Sequence, residues 1–567
     1  MYRVRMDRCL RLCLIHVHEP LRDAFRALGC EVLWLMPAAG AVLHLPTELA
    51  AHGFTPDIVF QQELLGPRLL LSGLDELSAV RLFWAVDPHL NAFWHAAYLR
   101  LFDATFSTQR RSLPELRALG AGHVLHLPWY APEAPFTPFA ERQRDAGFVG
   151  RLGLSRPVRT WLVDLLREAL PGRFEAQDNL DFAGMLAFYQ ATRLAPNESI
   201  SGEINFRLFE AAGCGCVVLA QDLGQEQAEL FEPGREMLVC ADALELVETA
   251  QMLCARPRLA EALGRAAWER ARAQHLPVAR AKSILETAGR AGRLGADAAS
   301  GLRWLALALA GLLEAGRLDS GREGVAASLR SLDDPDQPNG PDEQVLAARI
   351  RVAVALGQQA EIEDLLRRCR AAGTFSLPLL LTCSMAALQR GLNQDCGADV
   401  ALAREFADRA GVGPADPGRP FSVALLLAWA ARLSEDGPPS RGGFSFNPGR
   451  SLPACGSECL HWASALAPGD LTVLRRSEAG LATAWGREVL HLGVLSELGL
   501  RAPDDWRVGL ATGLCDLRVF RPGAGMGELA QAARLAGEKG EAEAFAQALA
   551  QADPSGRIRR ALQAPRP

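Results

Sequence analysis

The first part of the chain alternates short apolar runs with segments of helical length. Six runs of strand length occur before residue 131: CLRLCLIHV, CEVLWLMP, PDIVFQQ, AVRLFWAVD, DATFSTQ and HVLHLPWY. Such runs, separated by helices, are typical of a parallel sheet that is covered by helices on both faces. The pattern predicts a Rossmann-like domain over residues 1–140, with ligands at the carboxyl ends of its strands.

A second α/β pattern follows over residues 141–290. The run DAGFVGRL predicts a strand that ends at Gly150, and residues 206–212 predict a short helix that precedes a buried strand at 216–220. The N-terminus of a helix has unpaired N–H groups and about half a positive charge, which favour phosphate or carboxylate ligands. We therefore expect an anion-binding Rossmann-like domain here.

From Gly301 the pattern changes to Ala- and Leu-rich helices in pairs. The sequences APGD at 467–470 and APDD at 502–505 lie 35 residues apart, and each opens a predicted helix. This period predicts an all-α repeat similar to tetratricopeptide repeats, over residues 295–436 and 454–567 with a Pro/Gly/Ser-rich break between them. Solenoids commonly present a concave surface to peptides or proteins, and a structural cap is the alternative.

Composition removes several classes of function. The 567 residues require several domains, and a net charge of −6 gives no basic field for nucleic acid. The thirteen cysteines form no CxxC pair or zinc spacing, which indicates reduced thiols and a cytoplasmic protein. The apolar run near the N-terminus contains Arg11 and predicts a strand rather than a signal peptide, and no apolar stretch is long enough to predict a membrane span.

The candidates for catalysis follow a predicted strand of the first domain. Asp87 and His89 stand just after AVRLFWAVD, where a carboxylate or an imidazole at the edge of a cleft could deprotonate an acceptor hydroxyl. The alternative is that they cap the strand end and make loop hydrogen bonds. His16 and His18 are not expected to bind metal, because alternate residues of a strand point to opposite faces.

Two arginines follow the strand that ends at Gly150. Arg151 and Arg156 could hold a diphosphate as paired cations, and Gly150 permits close approach of the ligand. The alternative is a pair of surface arginines at the entry to a helix.

The segment before and within the short helix at 206–212 supplies the other candidates for donor binding. We expect Glu210 to contact the ribose of a nucleotide, and the alternative is a carboxylate that pairs with the helix dipole alone. Asn205 and Arg207 are candidates for phosphate or sugar contacts, and the alternative is a solvated turn. Asn197, at the end of the preceding strand, and Glu203, in the segment that precedes Glu210, complete the set.

These residues carry a resemblance to a known family. The runs NFRLFEAAGCGCVVLAQD and LFEPGREMLV resemble the C-terminal half of CgeB-like and group 1 glycosyltransferases with the GT-B fold, and the likeness extends over residues 10–285. It implies a nucleotide-sugar donor in the second domain and an acceptor in the cleft between domains. Arg156 stands where many of these enzymes have Lys, and Gly202 stands eight positions before Glu210 where retaining enzymes have a second glutamate. The stereochemical outcome therefore stays open.

The sequence thus predicts two Rossmann-like domains followed by a helical repeat, and a hexosyltransferase-type glycosyltransferase. Its donor would be a nucleotide-diphosphate sugar, and its acceptor would be a protein or a cell-surface glycan that the repeats could hold. We predict no metal and no cofactor, since the one Asp-x-Asp match, at 334–336, lies in a Pro/Asn/Gly-rich loop. The alternatives are a non-catalytic scaffold of the same fold and a nucleotide-sugar epimerase.

Overall fold

The structure is a computed structural model. It describes residues 9–38, 40, 42–64, 66, 68–291, 298–318, 320–333, 341–413, 418–436, 441–484 and 486–564. The chain forms two compact units, the first from residues 1–128 and 281–468 and the second from residues 129–280 and 469–567. The Asp-x-Asp match at 334–336 lies outside the described residues.

The first α/β segment contains a six-stranded parallel sheet. Its elements are β1 Arg11–Ile15, α1 Glu19–Ala27, β2 Glu31–Leu35, β3 Val42–His44, α2 Leu45–Ala51, β4 Ile58–Gln62, β5 Leu70–Ser72, β6 Val80–Ala85, α3 Pro88–Tyr98, β7 Ala104–Ser107, α4 Leu113–Ala118 and β8 Val124–His126. The strand order is β2-β1-β4-β6-β7-β8, so the six predicted strands are confirmed. The short strands β3 and β5 form a separate parallel pair that the sequence pattern did not predict.

The second α/β segment contains a five-stranded parallel sheet. Its elements are β9 Arg144–Val149, α5 Pro157–Ala169, β10 Phe174–Gln177, α6 Phe182–Gln190, β11 Thr192–Asn197, α7 Phe206–Gly213, β12 Val217–Gln221, α8 Gln225–Leu230, β13 Leu238–Cys240, α9 Ala243–Ala255, α10 Pro257–Gln274 and α11 Pro277–Arg290. The strand order is β10-β9-β11-β12-β13. The order reverses between β9 and β11, which is where ligands bind in open sheets of this kind.

The described chain from residue 298 onward is helical, and we call it the helical region. It contains α12 Ala298–Glu314, α13 Arg322–Leu332, α14 Glu343–Ala355, α15 Gln359–Ala371, α16 Leu377–Gln394, α17 Gly397–Arg409, α18 Phe421–Asp436, α19 Gly456–Leu466, α20 Leu471–Leu481, α21 Glu488–Arg501, α22 Trp506–Arg518, α23 Pro522–Glu538, α24 Ala542–Ala552 and α25 Arg557–Gln563. Asp470 and Asp505 cap the N-termini of α20 and α22, as the APGD and APDD motifs predict. The likeness to tetratricopeptide repeats stays a prediction.

Residues of the helical region complete the cores of both α/β segments. In the first unit, Leu305 and Leu312 of α12 are buried in the core of the six-stranded sheet. In the second unit, Phe520 is buried in the core of the five-stranded sheet. Arg557 of α25 also pairs with Glu245 and Glu248 of α9, at 2.9 and 3.0 Å. The helical region therefore contributes buried side chains to each α/β core.

All thirteen cysteines are free thiols, and most are buried. Across the described ranges, none of the helices has both the length and the apolar character that a bilayer crossing requires.

Candidate functional site

The candidate donor-binding residues lie at the carboxyl edge of the five-stranded sheet. Gly150 follows β9 directly, and Asn197 is the last residue of β11. These are the two strands between which the strand order reverses. The sheet therefore brings the two segments together, although 47 positions separate them in the sequence.

Arg207 spans the gap between these two strand ends. Its guanidinium donates from Nε to the carbonyl oxygen of Val149 at 2.9 Å, and from Nη1 to the carbonyl oxygen of Glu198 at 3.0 Å. Nη1 also lies 3.4 Å from Oδ1 of Asn197. The guanidinium stacks over Phe148, 4.3 Å from the ring centroid. The planar guanidinium can make these contacts together, and they fix one positive charge at the strand ends.

Gly150 is required by this arrangement. A Cβ atom at position 150 would lie 2.7 Å from Nη2 of Arg207. Within the described residues, Nη2 of Arg207 makes no hydrogen bond. The glycine thus leaves room for one face of the guanidinium at the strand end.

A buried ion pair, missed by the sequence analysis, supports the same edge. Arg159 of α5 donates to Glu198 at 2.9 Å, and both side chains are almost fully buried. Arg159 also donates to the carbonyl oxygen of Arg151 at 3.1 Å. Burial lowers the pKa of Arg159, and the nearby charges of Arg207 and Arg156 lower it further. The sequence signal, an arginine three residues after Arg156 in the first turn of α5, was too weak to identify the pair.

Arg151 and Arg156 lie in the loop between β9 and α5. Arg151 is exposed and Arg156 is half-buried, and the loop turns at Gly153, which has φ +141°. In the described part of the chain, neither side chain makes a hydrogen bond or an ion pair. Both guanidiniums are therefore available to a ligand, and their contact with a diphosphate stays a prediction.

Glu203 and Asn205 hold the turn between β11 and α7, which we call the β11–α7 turn (residues 198–205). The carboxylate of Glu203 accepts from Ser199 Oγ at 2.8 Å and from the Ser201 N–H at 2.6 Å. Asn205 caps α7 by accepting from the Leu208 N–H, and its amide donates to the Glu198 carbonyl oxygen at 2.9 Å. Both side chains are therefore committed to the turn itself.

Glu210 is partly buried, and its carboxylate differs from that of Glu203 in its lack of hydrogen-bond donors among the described residues. Within the described residues, its oxygens accept no hydrogen bond and form no ion pair. Burial raises the pKa of Glu210 to about 7, and Arg207 acts in the opposite direction. Burial also raises the pKa of the Tyr130 hydroxyl, and the charge of Glu210 adds to that effect. Glu210 is thus close to Tyr130 and one helical turn from Arg207.

The candidates for catalysis lie in the first unit. Asp87 and His89 follow β6 at the start of α3, as the sequence pattern predicts. The Asp87 N–H donates to Oε2 of Glu63 at 3.3 Å, and Glu63 accepts from His95 at 3.1 Å. Burial alone would raise the pKa of Glu63, but His95 and the Val86 N–H bring it below its ordinary value. His95 lies inside an apolar helix and was not predicted from the sequence.

The site of the second unit is suited to an anion. Three arginines, Arg151, Arg156 and Arg207, lie at or near the strand ends together with the N-terminus of α7, and Glu198 neutralises Arg159 behind them. The described residues include no group of three or more His, Cys, Asp or Glu side chains that could hold a metal ion.

Comparison with known families gives a match for this part of the chain. Residues 143–286 match a family model described as glycosyl transferase-like. That segment contains all eight of the predicted donor-binding residues. No curated protein matches the chain.

Three solved structures are similar to about half of the chain. Sucrose-phosphate synthase from Thermosynechococcus elongatus is 15% identical with a TM-score of 0.37, and the match covers 49% of this chain and 98% of that one. A glycosyltransferase from Rickettsia africae is 10% identical with a TM-score of 0.37, over 50% and 98%. HepE from Anabaena, in complex with UDP and glucose, is 13% identical with a TM-score of 0.36, over 49% and 99%.

Proposed function

We propose that the protein is a glycosyltransferase whose second unit binds a nucleotide-diphosphate sugar. The observation that carries the proposal is the set of cations at the reversal point of the five-stranded sheet. There Arg207 is fixed across two strand ends, beside a helix N-terminus and two arginines whose side chains make no hydrogen bond or ion pair with the described residues. The glycosyl transferase-like match over residues 143–286 supports it.

In this proposal the diphosphate lies between Arg151, Arg156 and the N-terminus of α7. Those positive groups stabilise the negative charge that develops on the departing nucleoside diphosphate, and no metal ion takes part. Glu210 accepts hydrogen bonds from the ribose hydroxyls, because a carboxylate has two acceptor oxygens and no donor. The acceptor is a protein or a cell-surface glycan.

Nucleotide titration tests the donor half of the proposal. We expect one of UDP, GDP, ADP or dTDP to bind by isothermal titration calorimetry, and to add about 2.7 kcal/mol to the free energy of unfolding at one hundred times its Kd. Arg151→Ala and Arg156→Ala should weaken binding about tenfold each without loss of stability, because neither guanidinium bonds to any of the described residues. Arg235→Ala is the matched control, since this arginine is exposed and pairs with Glu232 of its own turn. Equal affinities in all four proteins would contradict the proposal.

Asp87 and His89 are proposed as the candidates for the base that deprotonates the acceptor hydroxyl. If Asp87 is the base, Asp87→Asn should lower kcat about 100-fold. If His89 is the base, His89→Gln should have that effect. Nucleotide affinity should not change, because both residues belong to the first unit. A kcat that is unaffected in both variants would exclude the pair.

A scaffold without catalysis is the second candidate, and one observation favours it. Glu203, the carboxylate nearest to the expected position of a second glutamate, is used to hold its own turn. A protein that binds none of the four nucleotides at millimolar concentration would favour the scaffold.

A further inference from the structure

Phe520, far along the chain, packs into the core of the candidate donor-binding unit. It follows α22 and is only 6% exposed, in the hydrophobic core of the five-stranded sheet. It lines a small cavity together with Asn197 and Gln221, the last residues of β11 and β12. Its φ of +66° lies in the left-handed region, which is a strained conformation for a bulky side chain. The Phe520 ring is therefore buried beneath the strand ends despite local backbone strain.

A second segment of the helical region touches the β11–α7 turn itself. Gly486 lies between α20 and α21 with φ +67°. A Cβ atom at that position would lie 2.2 Å from Cα of Ser201 and 2.7 Å from the carbonyl oxygen of Ile200. Because both of these atoms belong to the backbone, no side-chain movement could relieve the overlap. Only glycine fits here without a shift of the turn.

These two contacts reach the same short segment from different helical hairpins. Phe520 lines the same cavity as Asn197, the residue just before the turn, and Gly486 lies against Ser201 in the middle of the turn. Gln221, which also lines the cavity with Phe520, accepts from the Ser199 N–H at 2.9 Å. The turn leads directly into α7, which carries Arg207 and Glu210.

We propose that the hairpins α20–α21 and α22–α23 fix the conformation of the β11–α7 turn and so position the donor-binding residues of α7. Gly486 and Phe520 are the positioning residues. The C-terminal hairpins are then a part of the nucleotide site rather than a separable module. This inference rests on the proposed function, since it assigns a role in nucleotide binding.

Two substitutions with matched controls test it in the full-length protein. Gly486→Ala is compared with Gly493→Ala in α21, where an added Cβ meets no atom within 4 Å. Phe520→Ala is compared with Phe545→Ala, because Phe545 is equally buried at 6% but lies in the helical core that contains Trp506. Both phenylalanine variants should lose similar thermal stability. Only Phe520→Ala and Gly486→Ala should weaken nucleoside diphosphate binding, by about tenfold or more.

Hydrogen exchange provides the local readout. The amides of Ser199 and Ser201, which donate to Gln221 and Glu203, should exchange faster in Gly486→Ala and Phe520→Ala and at the parent rate in both controls. Binding of UDP, GDP, ADP and dTDP is measured on the same samples. A parent that binds a nucleotide, with variants that bind it equally well, overturns this inference alone. A parent that binds none of the four overturns the proposed function and this inference together.

Discussion

Glu210→Gln is expected to stabilise the unliganded protein at alkaline pH and to leave its stability unchanged in acid. Burial raises the pKa of this carboxyl from 4.5 to about 7 in the folded state. The folded protein therefore holds the proton more tightly than the unfolded chain. The free energy of unfolding falls as the pH rises from about 4.5 to about 7, and this penalty is complete above pH 7. Glutamine removes the penalty because it carries no charge.

The size of the effect follows from the same values. A rise in pKa from 4.5 to about 7, at about 1.4 kcal/mol for each pH unit, corresponds to at most about 3.5 kcal/mol. The side chain is partly exposed, so solvent screening reduces this figure. We expect a gain of about 1 to 3 kcal/mol at pH 8 and none at pH 4.

Urea unfolding at pH 4, 5, 6, 7 and 8 measures this difference. The midpoint for Glu210→Gln should move above that of the parent as the pH increases, with the same dependence on urea concentration. Glu168→Gln is the control, since Glu168 is exposed on α5 of the same unit and should shift stability by less than about 0.5 kcal/mol. A gain that does not vary with pH, or a loss of stability at pH 8, would refute the reasoning. Nucleotide affinity should fall about tenfold in the same variant, because the amide has one acceptor oxygen where the carboxylate has two, and it carries no negative charge.

Three further outcomes are expected. Arg207→Lys keeps the charge but cannot span both strand ends, so calorimetry should show both lower stability and weaker nucleotide binding. Arg159→Met leaves Glu198 buried without its partner and should lower the free energy of unfolding by about 3 to 5 kcal/mol, while the double variant with Glu198→Leu should recover most of the loss. Treatment with EDTA should change neither nucleotide affinity nor turnover, and loss of turnover that Mg²⁺ restores would contradict a mechanism without metal.

The strands and the capped helices could be predicted because local physics determines them. A parallel strand that is buried on both faces must be a contiguous apolar run, and all six runs of the first segment are strands. An Asp before a helix accepts hydrogen bonds from the first turn, so Asp470 and Asp505 identified α20 and α22. In each case the interaction spans a few residues and is visible in the sequence.

The support of the site could not be predicted, because its contacts join residues that are distant in the sequence. Arg159 and Glu198 are 39 positions apart, and no periodicity relates them. In the sequence, Gly486 cannot be distinguished from other loop glycines, because its close approach to Ser201 is visible only in the structure. Glu203 was predicted as a ligand contact from its residue type, but the structure places its carboxylate on the amides of its own turn. Its role in donor binding stays a prediction.

The cations around the strand ends fall into two classes that should act differently. Arg207 and Arg159 are buried and bonded to carbonyl or carboxylate oxygens, so folding has already fixed their positions. Fixed charges favour an anion without reorganisation, whereas Arg151 and Arg156 must be ordered when a ligand arrives, at about 0.5 to 1.5 kcal/mol for each side chain. Replacing a buried arginine should therefore lower stability and affinity together, while replacing a loop arginine should change affinity alone. If Arg151→Ala and Arg207→Lys lower the free energy of unfolding equally, the distinction between buried and loop arginines is wrong.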